Sequence, residues 1–154
     1  MERSLIIIKP DAVNRDMAGR IIARFEEKGL KIIGMKMELL HPVKLKEHYS
    51  HLKDKPFYAE LEKFMSSIPS ILMVVEGKQA VEVVRKMVGP TQGRDANPGT
   101  IRGDFSVSNQ SNIVHASDSA DSAEKEIERF FRKEELHEYK KMNFEWIYSK
   151  DEKN

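Results

Sequence analysis

The spacing of apolar positions along this chain switches repeatedly between the period of a strand and that of a helix. Leu5 to Ile8 is an unbroken apolar run closed by Lys9-Pro10, which predicts a strand buried on both faces. Ala18, Ile21, Ile22 and Phe25 recur at i, i+3, i+4 and i+7, a helix ended by Gly29. Ile33, Met35, Met37 and Leu39 alternate with Gly34, Lys36 and Glu38, predicting a half-buried strand with the apolar set inward. After the His41-Pro42 break, a polar helical stretch runs from Lys44 to Leu52, and Phe57, Leu61, Phe64 and Met65 mark another helix. Ser70 to Val75 reads as a strand, and Ala80, Val83, Val84 and Met87 as a helix stopped by Gly89-Pro90.

The segment from Gly89 to Ser111 follows neither period and holds four glycines and two prolines. Structureless loops longer than roughly 12–15 residues are uncommon in compact domains and are usually functional or disordered. Ile113-Val114-His115 is a short last strand, residues 116–119 a turn, and Ala123, Ile127, Phe130 and Phe131 a closing helix. The order is strand–helix–strand, helical hairpin, then strand–helix–strand–helix. It predicts an α+β, ferredoxin-like split βαβ fold: a four-stranded antiparallel sheet with helices packed on one face and a long functional loop. No repeat or second composition marks another domain, so one domain over 1–154 is expected, with a charged, frayed tail at 150–154.

Composition narrows the chemistry. The absence of cysteine removes disulfides, thiolate metal sites and cysteine nucleophiles together. A net charge of +1 argues against a protein that coats nucleic acid, so any anion site must come from local clustering. The apolar run near the N-terminus is too short for a signal peptide or membrane span, and the cytoplasm is the expected location. Walker, dinucleotide-fingerprint, zincin and EF-hand patterns are all missing.

Five histidines remain. His41 and His137 read as solvated. His48 and His51 lie one helical turn apart without an acidic third ligand and read as surface residues, so no metal site is expected. His115 ends an apolar strand, with Asn112 and Ser117 flanking it and Glu126 on the next helix. A carboxylate bound to one imidazole nitrogen fixes the tautomer and frees the other for attack. A satisfied histidine at a strand end explains the position equally well. Lys9, Arg85 and Arg102 sit beside elements that this topology would bring together, where guanidinium and ammonium groups suit phosphate oxygens.

Asn112-Ile113-Val114-His115-Ala116-Ser117-Asp118-Ser119 resembles the active-site signature N-x-x-H-G-S-D-S of nucleoside diphosphate kinases. Ile8-Lys9-Pro10-Asp11, His48-Tyr49 with Lys55-Pro56-Phe57-Tyr58, Pro98 to Asp104 and Ser122 to Ile127 resemble further motifs of that family in the same order. The resemblance implies a ping-pong transfer of the γ-phosphoryl group from a nucleoside triphosphate, typically ATP, to a diphosphate through phosphorylated His115. It implies that Glu126 orients the ring, that Ser117 supports Glu126, and that Lys9, Tyr49, Arg85, Thr91, Arg102 and Asn112 hold phosphates and sugar. Phe57 would stack on the base with Leu61 nearby, although an apolar helical stripe explains Phe57 as well. Mg²⁺ would ride on the phosphates without a dedicated protein cage. The C-terminal stretch through Trp146 and Tyr148 resembles the longer form, which implies a homo-hexamer rather than a tetramer.

The chain departs from the family at Ala116, where glycine is usual, and at Gln92-Gly93, where Asn-Pro is common. A positive φ at Ala116 would cost roughly 1 kcal/mol. A catalytically silent relative that binds nucleotides and a binder of single-stranded nucleic acid are the alternatives. The joint presence of His115, Lys9, Arg102, Asn112 and Glu126 favours the enzyme.

Overall fold

The computed structural model describes residues 1–153. Its sheet has four antiparallel strands in the order β2-β3-β1-β4, formed by β1 (Glu2–Ile8), β2 (Lys31–Glu38), β3 (Ser70–Gly77) and β4 (Val114–Ala116). This is the ferredoxin-like order the element pattern predicts. The first strand is central, flanked by β3 and β4, and β4, which carries His115, lies at an edge.

Helices cover both faces of the sheet rather than one. Ile6 and Ile8 of β1 pack into one cluster with Met73 and Val75. Its helical members include Ile21 and Phe25 of α2 (Ala18–Glu27), Ala80 and Val84 of α5 (Ala80–Val88), and Ile101 of α6 (Ile101–Phe105). Leu5 and Ile7 point the other way, into a cluster with Leu45 of α3 (Pro42–His48), Leu61 and Met65 of α4 (Tyr58–Met65), and Ile127 and Phe130 of α7 (Ala120–Phe130). The reason is visible in β1 itself: successive strand residues alternate faces, so five consecutive fully buried residues, Ser4 to Ile8, require cover on both sides.

Three short helices interrupt segments without clear periodicity. Pro10 starts α1 (Pro10–Asn14), where its fixed φ and missing N–H suit the first helical turn. Thr100 caps α6 by accepting a hydrogen bond from the Gly103 amide, so the long loop is partly helical. The last, α8 (Phe144–Ile147), precedes a 3₁₀ turn at Lys150–Glu152 capped by Ser149. This turn lies in the charged tail for which fraying is expected; Asn154 lies outside the described residues.

The second strand departs from its expected orientation. A register shift between Ile32 and Gly34 inserts an extra residue, which reverses the facing of everything after it. Met35, Met37 and Leu39 are therefore exposed at 53%, 60% and 58%, while Lys36 lies under Glu135 and the Phe131 ring.

Candidate active site

The site forms where β1, β4, α3, α7 and the long loop meet. His115 pairs with Ile7 across the β1–β4 ladder and so shares the sheet face that α3 and α7 cover. Its Nε2 lies 3.1 and 3.2 Å from the two carboxylate oxygens of Glu126 on α7. The Ser117 hydroxyl donates to Glu126 Oε2 at 2.6 Å, and Ser117 itself is tied to β1 by accepting from the Leu5 amide. Burial alone would raise the Glu126 pKa, but the hydrogen bonds from His115 and Ser117 outweigh it and hold the carboxyl below its usual range. With Nε2 engaged, Nδ1 is the ring nitrogen left for chemistry.

His48 completes this cluster and corrects the surface reading of the sequence. Its ring is buried edge-on against His115, Tyr49 and Phe130. The signal lay in the helical spacing of Leu45, His48, Tyr49 and Leu52, a stripe that continues through His48. His48, His115 and Glu126 offer ligand atoms within 4.8 Å of one another. This set is rich in nitrogen, whereas Mg²⁺ prefers oxygen, so it does not suit that ion.

A second cluster supplies positive charge. Lys9, at the end of β1, is buried and donates from Nζ to Asn112 Oδ1 at 2.6 Å. Burial, followed by the nearby Arg102, pushes the Lys9 pKa down to about 8, against an opposing pull from Asp11. The Asn112 amide donates to the Thr91 and Asn109 carbonyls, which fixes its oxygen toward Lys9. Arg102 on α6 is buried and donates to the carbonyls of Asn112, Gly89 and Val114 at 3.3, 3.0 and 2.7 Å. Burial and the neighbouring Arg85 lower its pKa to about 10, still high enough to remain charged at neutral pH. Tyr49 is buried beside Arg102, and desolvation raises its hydroxyl far above the usual value.

Of the remaining sequence-predicted residues, Arg85 and Thr91 adjoin the site through their neighbours, whereas Phe57 and Leu61 belong to the α4 region. Arg85 on α5 is half-buried and acts electrostatically on both Arg102 and Asp118. Thr91 is exposed, touching the site through its main-chain carbonyl. Phe57 is 48% exposed at the start of α4, so core packing does not account for it, whereas Leu61 is buried in the core cluster. Ala116 lies within β4, pairs with Ile6 and does not adopt a positive φ, so its methyl carries none of the cost considered above. The strained residue is Ile113 instead, at φ 63°.

Gly103 shows why the loop folds so tightly here. A Cβ on it would collide with the Asn97 carbonyl oxygen and the Thr100 hydroxyl.

Comparison with known proteins identifies the family of the chain. The family model described as nucleoside diphosphate kinase matches residues 2–136. A nucleoside diphosphate kinase from Parabacteroides distasonis is 50% identical over 152 residues, covering 99% of each chain. One from Pyrococcus horikoshii is 51% identical, covering 97% of this chain and 96% of its own. Among solved structures, a halophilic nucleoside diphosphate kinase from Halobacterium salinarum in complex with CDP superimposes with a TM-score of 0.94. It is 40% identical and covers 96% of this chain and 99% of its own.

Proposed function

The chain belongs to the nucleoside diphosphate kinase family and is a nucleotide-binding phosphotransferase, and from that premise we propose that its reaction runs through a phosphate carried on His115. The observation that carries this reading is the Ser117–Glu126–His115 chain of contacts, which occupies Nε2 and leaves Nδ1 as the unengaged ring nitrogen; Arg102 donates to the carbonyl of the neighbouring Val114. Nδ1 attacks the γ-phosphorus of a nucleoside triphosphate, typically ATP. An N–P bond forms, the bridging P–O bond breaks, and the diphosphate leaves with the bridging oxygen. A second diphosphate then reverses these steps and departs as triphosphate. Glu126 holds the ring as positive charge develops on it, which costs little reorganisation because the carboxylate is already in place.

Lys9, Arg102 and Arg85 neutralise the phosphates, Asn112 and Thr91 bind phosphate and sugar at the loop, and Tyr49 closes that side. Phosphoryl transfer depends mainly on positioning and charge neutralisation, which such a cluster supplies. The exposed Phe57 ring offers a stacking face, with Leu61 one helical turn further on, and stacking discriminates little among bases because each has a π-face. Mg²⁺ would be held mainly through the nucleotide and would supply charge neutralisation on its phosphates, with Asp118, an exposed carboxylate within the field of Arg85, available to it.

The protein acts as a homo-oligomer, a hexamer in preference to a tetramer. Support comes from the apolar side chains of Met35, Met37 and Leu39, left uncovered on the edge strand, and from Met142 and Trp146 near the C-terminus. Its working compartment is the cytoplasm; no described helix is long and apolar enough to cross a membrane. All the chemistry belongs to one domain spanning the chain.

The test is to mix the protein with Mg²⁺ and ATP labelled in the γ-phosphate, without acceptor. Acid-labile, base-stable label should appear on wild type, leave as GTP when GDP is added, and be missing in His115→Ala. Turnover retained by His115→Ala would overturn the mechanism. Light scattering giving a mass of four chains rather than six would overturn the hexamer.

A further inference from the structure

Asn112 and His115 both serve the site although only two residues separate them, and the backbone between them is unusual. The Val114 amide donates to the Asn112 carbonyl at 2.8 Å, closing a three-residue turn around Ile113 at φ 63°. Such γ-turns are rare and strained, and a β-branched residue in the left-handed region is a genuine outlier. Strain of this kind persists only where the surroundings over-determine it.

The surroundings here are specific. The Asp11 carboxylate accepts a hydrogen bond from the Ile113 amide through Oδ2 at 3.1 Å. On the other side, the Lys9 amide donates to the Ile113 carbonyl at 2.9 Å. Both polar groups of the strained residue are thus gripped by the two residues flanking Pro10. The Ile113 side chain is fully buried in the core cluster and cannot swing out to relieve the turn.

We propose that Asp11 is a positioning residue for phosphoryl transfer: its carboxylate locks the strained Ile113 turn, and the turn sets the relative placement of Asn112 and His115. Asp11 touches neither reacting atom and acts through the backbone that leads into β4. Capping of the short α1 explains an acidic residue in its first turn, but it does not explain a carboxylate oxygen directed at an amide 102 positions away. The proposal rests on His115 being the phosphorylated residue.

The experiment compares wild type, Asp11→Ala and Asp11→Asn in single-turnover labelling with saturating γ-labelled ATP. The burst amplitude counts competent sites, and the rate constant reports their alignment. Asp11→Ala should slow the labelling rate constant by about 100-fold, the scale of a misplaced reacting group, even among the sites that label. Asp11→Asn keeps an amide oxygen that can accept the Ile113 N–H while losing the charge beside Lys9, and should remain within about fivefold of wild type.

A wild-type rate constant in Asp11→Ala, with or without lower amplitude or melting temperature, would overturn the positioning role. So would an Asp11→Asn variant as slow as Asp11→Ala, since charge rather than the Ile113 contact would then be responsible. If wild type itself carries no label on His115, the underlying mechanism fails, a result distinguishable from either of these.

Discussion

The His48 imidazole meets the His115 ring edge to face, with 4.7 Å between centroids and 78° between planes. His48 Nδ1 lies 3.8 Å from Glu126 Oε1, beyond hydrogen-bonding distance, and neither of its ring nitrogens has a partner among the described residues. Burial, then the proximity of His115, pushes the His48 pKa down to about 3. His115, the proposed nucleophile, therefore rests against a ring that stays neutral at neutral pH. A cationic neighbour would instead hinder the charge that develops on His115 during attack.

This neutrality makes the fold sensitive to acid. An unfolded histidine takes up a proton near pH 6.5, whereas folded His48 does so only near pH 3, so the unfolded state binds more protons between those values. Stability must then fall as pH drops through that window. His48→Phe, which keeps an aromatic ring against His115 and Phe130, should remove that contribution. Thermal or denaturant melts at pH 7 and pH 5 should show wild type losing about 2 kcal/mol more than the variant. Equal losses in the two proteins would mean that His48 takes up its proton in the folded state as well.

The Ser117–Glu126 contact predicts a graded pair of variants. Glu126→Gln retains a group that can face Nε2 but removes the charge that stabilises the ring as it becomes cationic. Losing a charge-assisted hydrogen bond of about 1.5–3 kcal/mol corresponds to roughly a 10- to 100-fold lower kcat, with KM little changed. Ser117→Ala leaves the charge in place but frees the carboxylate to rotate, so its loss should be smaller. Steady-state kinetics decide the matter: a Ser117→Ala defect larger than that of Glu126→Gln would place the main function of Ser117 elsewhere, in its link to Leu5.

Lys9, proposed to hold phosphate, should set the pH dependence of nucleotide capture. With its pKa near 8, the free site loses this charge as pH rises above 8, and bound phosphate restores it by favouring the ammonium form. The ratio kcat/KM should decline above pH 8, while kcat at saturating nucleotide declines less. A kcat/KM that stays level from pH 7 to 9.5 would show that Lys9 remains charged in the free protein.

Much of this site was legible in the sequence because its parts sit at element ends. Lys9 closes a strand and His115 ends another, and strand ends are where a sheet presents side chains to a ligand. Glu126 was legible because one helical turn spaces it from Ser122 and Ala123 on the helix that follows His115. Less legible was anything decided by contact between distant segments. The polar neighbours of His48 hid its place on the Leu45–Leu52 stripe, and its burial follows from how α3 lies over β4 and α7. The facing of Met35 and Met37 depended on one inserted residue at Ile32–Gly34, which leaves no mark on the alternation itself. The strain at Ile113 was equally hidden, since isoleucine normally signals an extended strand.

Arg102 separates phosphate binding from loop architecture. Its guanidinium has five N–H donors, and contacts to the Asn112, Gly89 and Val114 carbonyls engage three of its nitrogens. Two N–H groups at most remain for a phosphate, so the side chain ties the loop to β4 as well as neutralising a ligand. Lysine would keep the charge but cannot reach three carbonyls set in a fork. Arg102→Lys should therefore lower stability by about 2–4 kcal/mol, since three hydrogen bonds to a buried charge are disrupted, and should raise KM for every nucleotide alike. Denaturant melts and KM measurements on ADP and GDP test both halves. Wild-type stability with a raised KM would assign Arg102 to ligand binding alone. Lowered stability with an unchanged KM would assign it wholly to the loop.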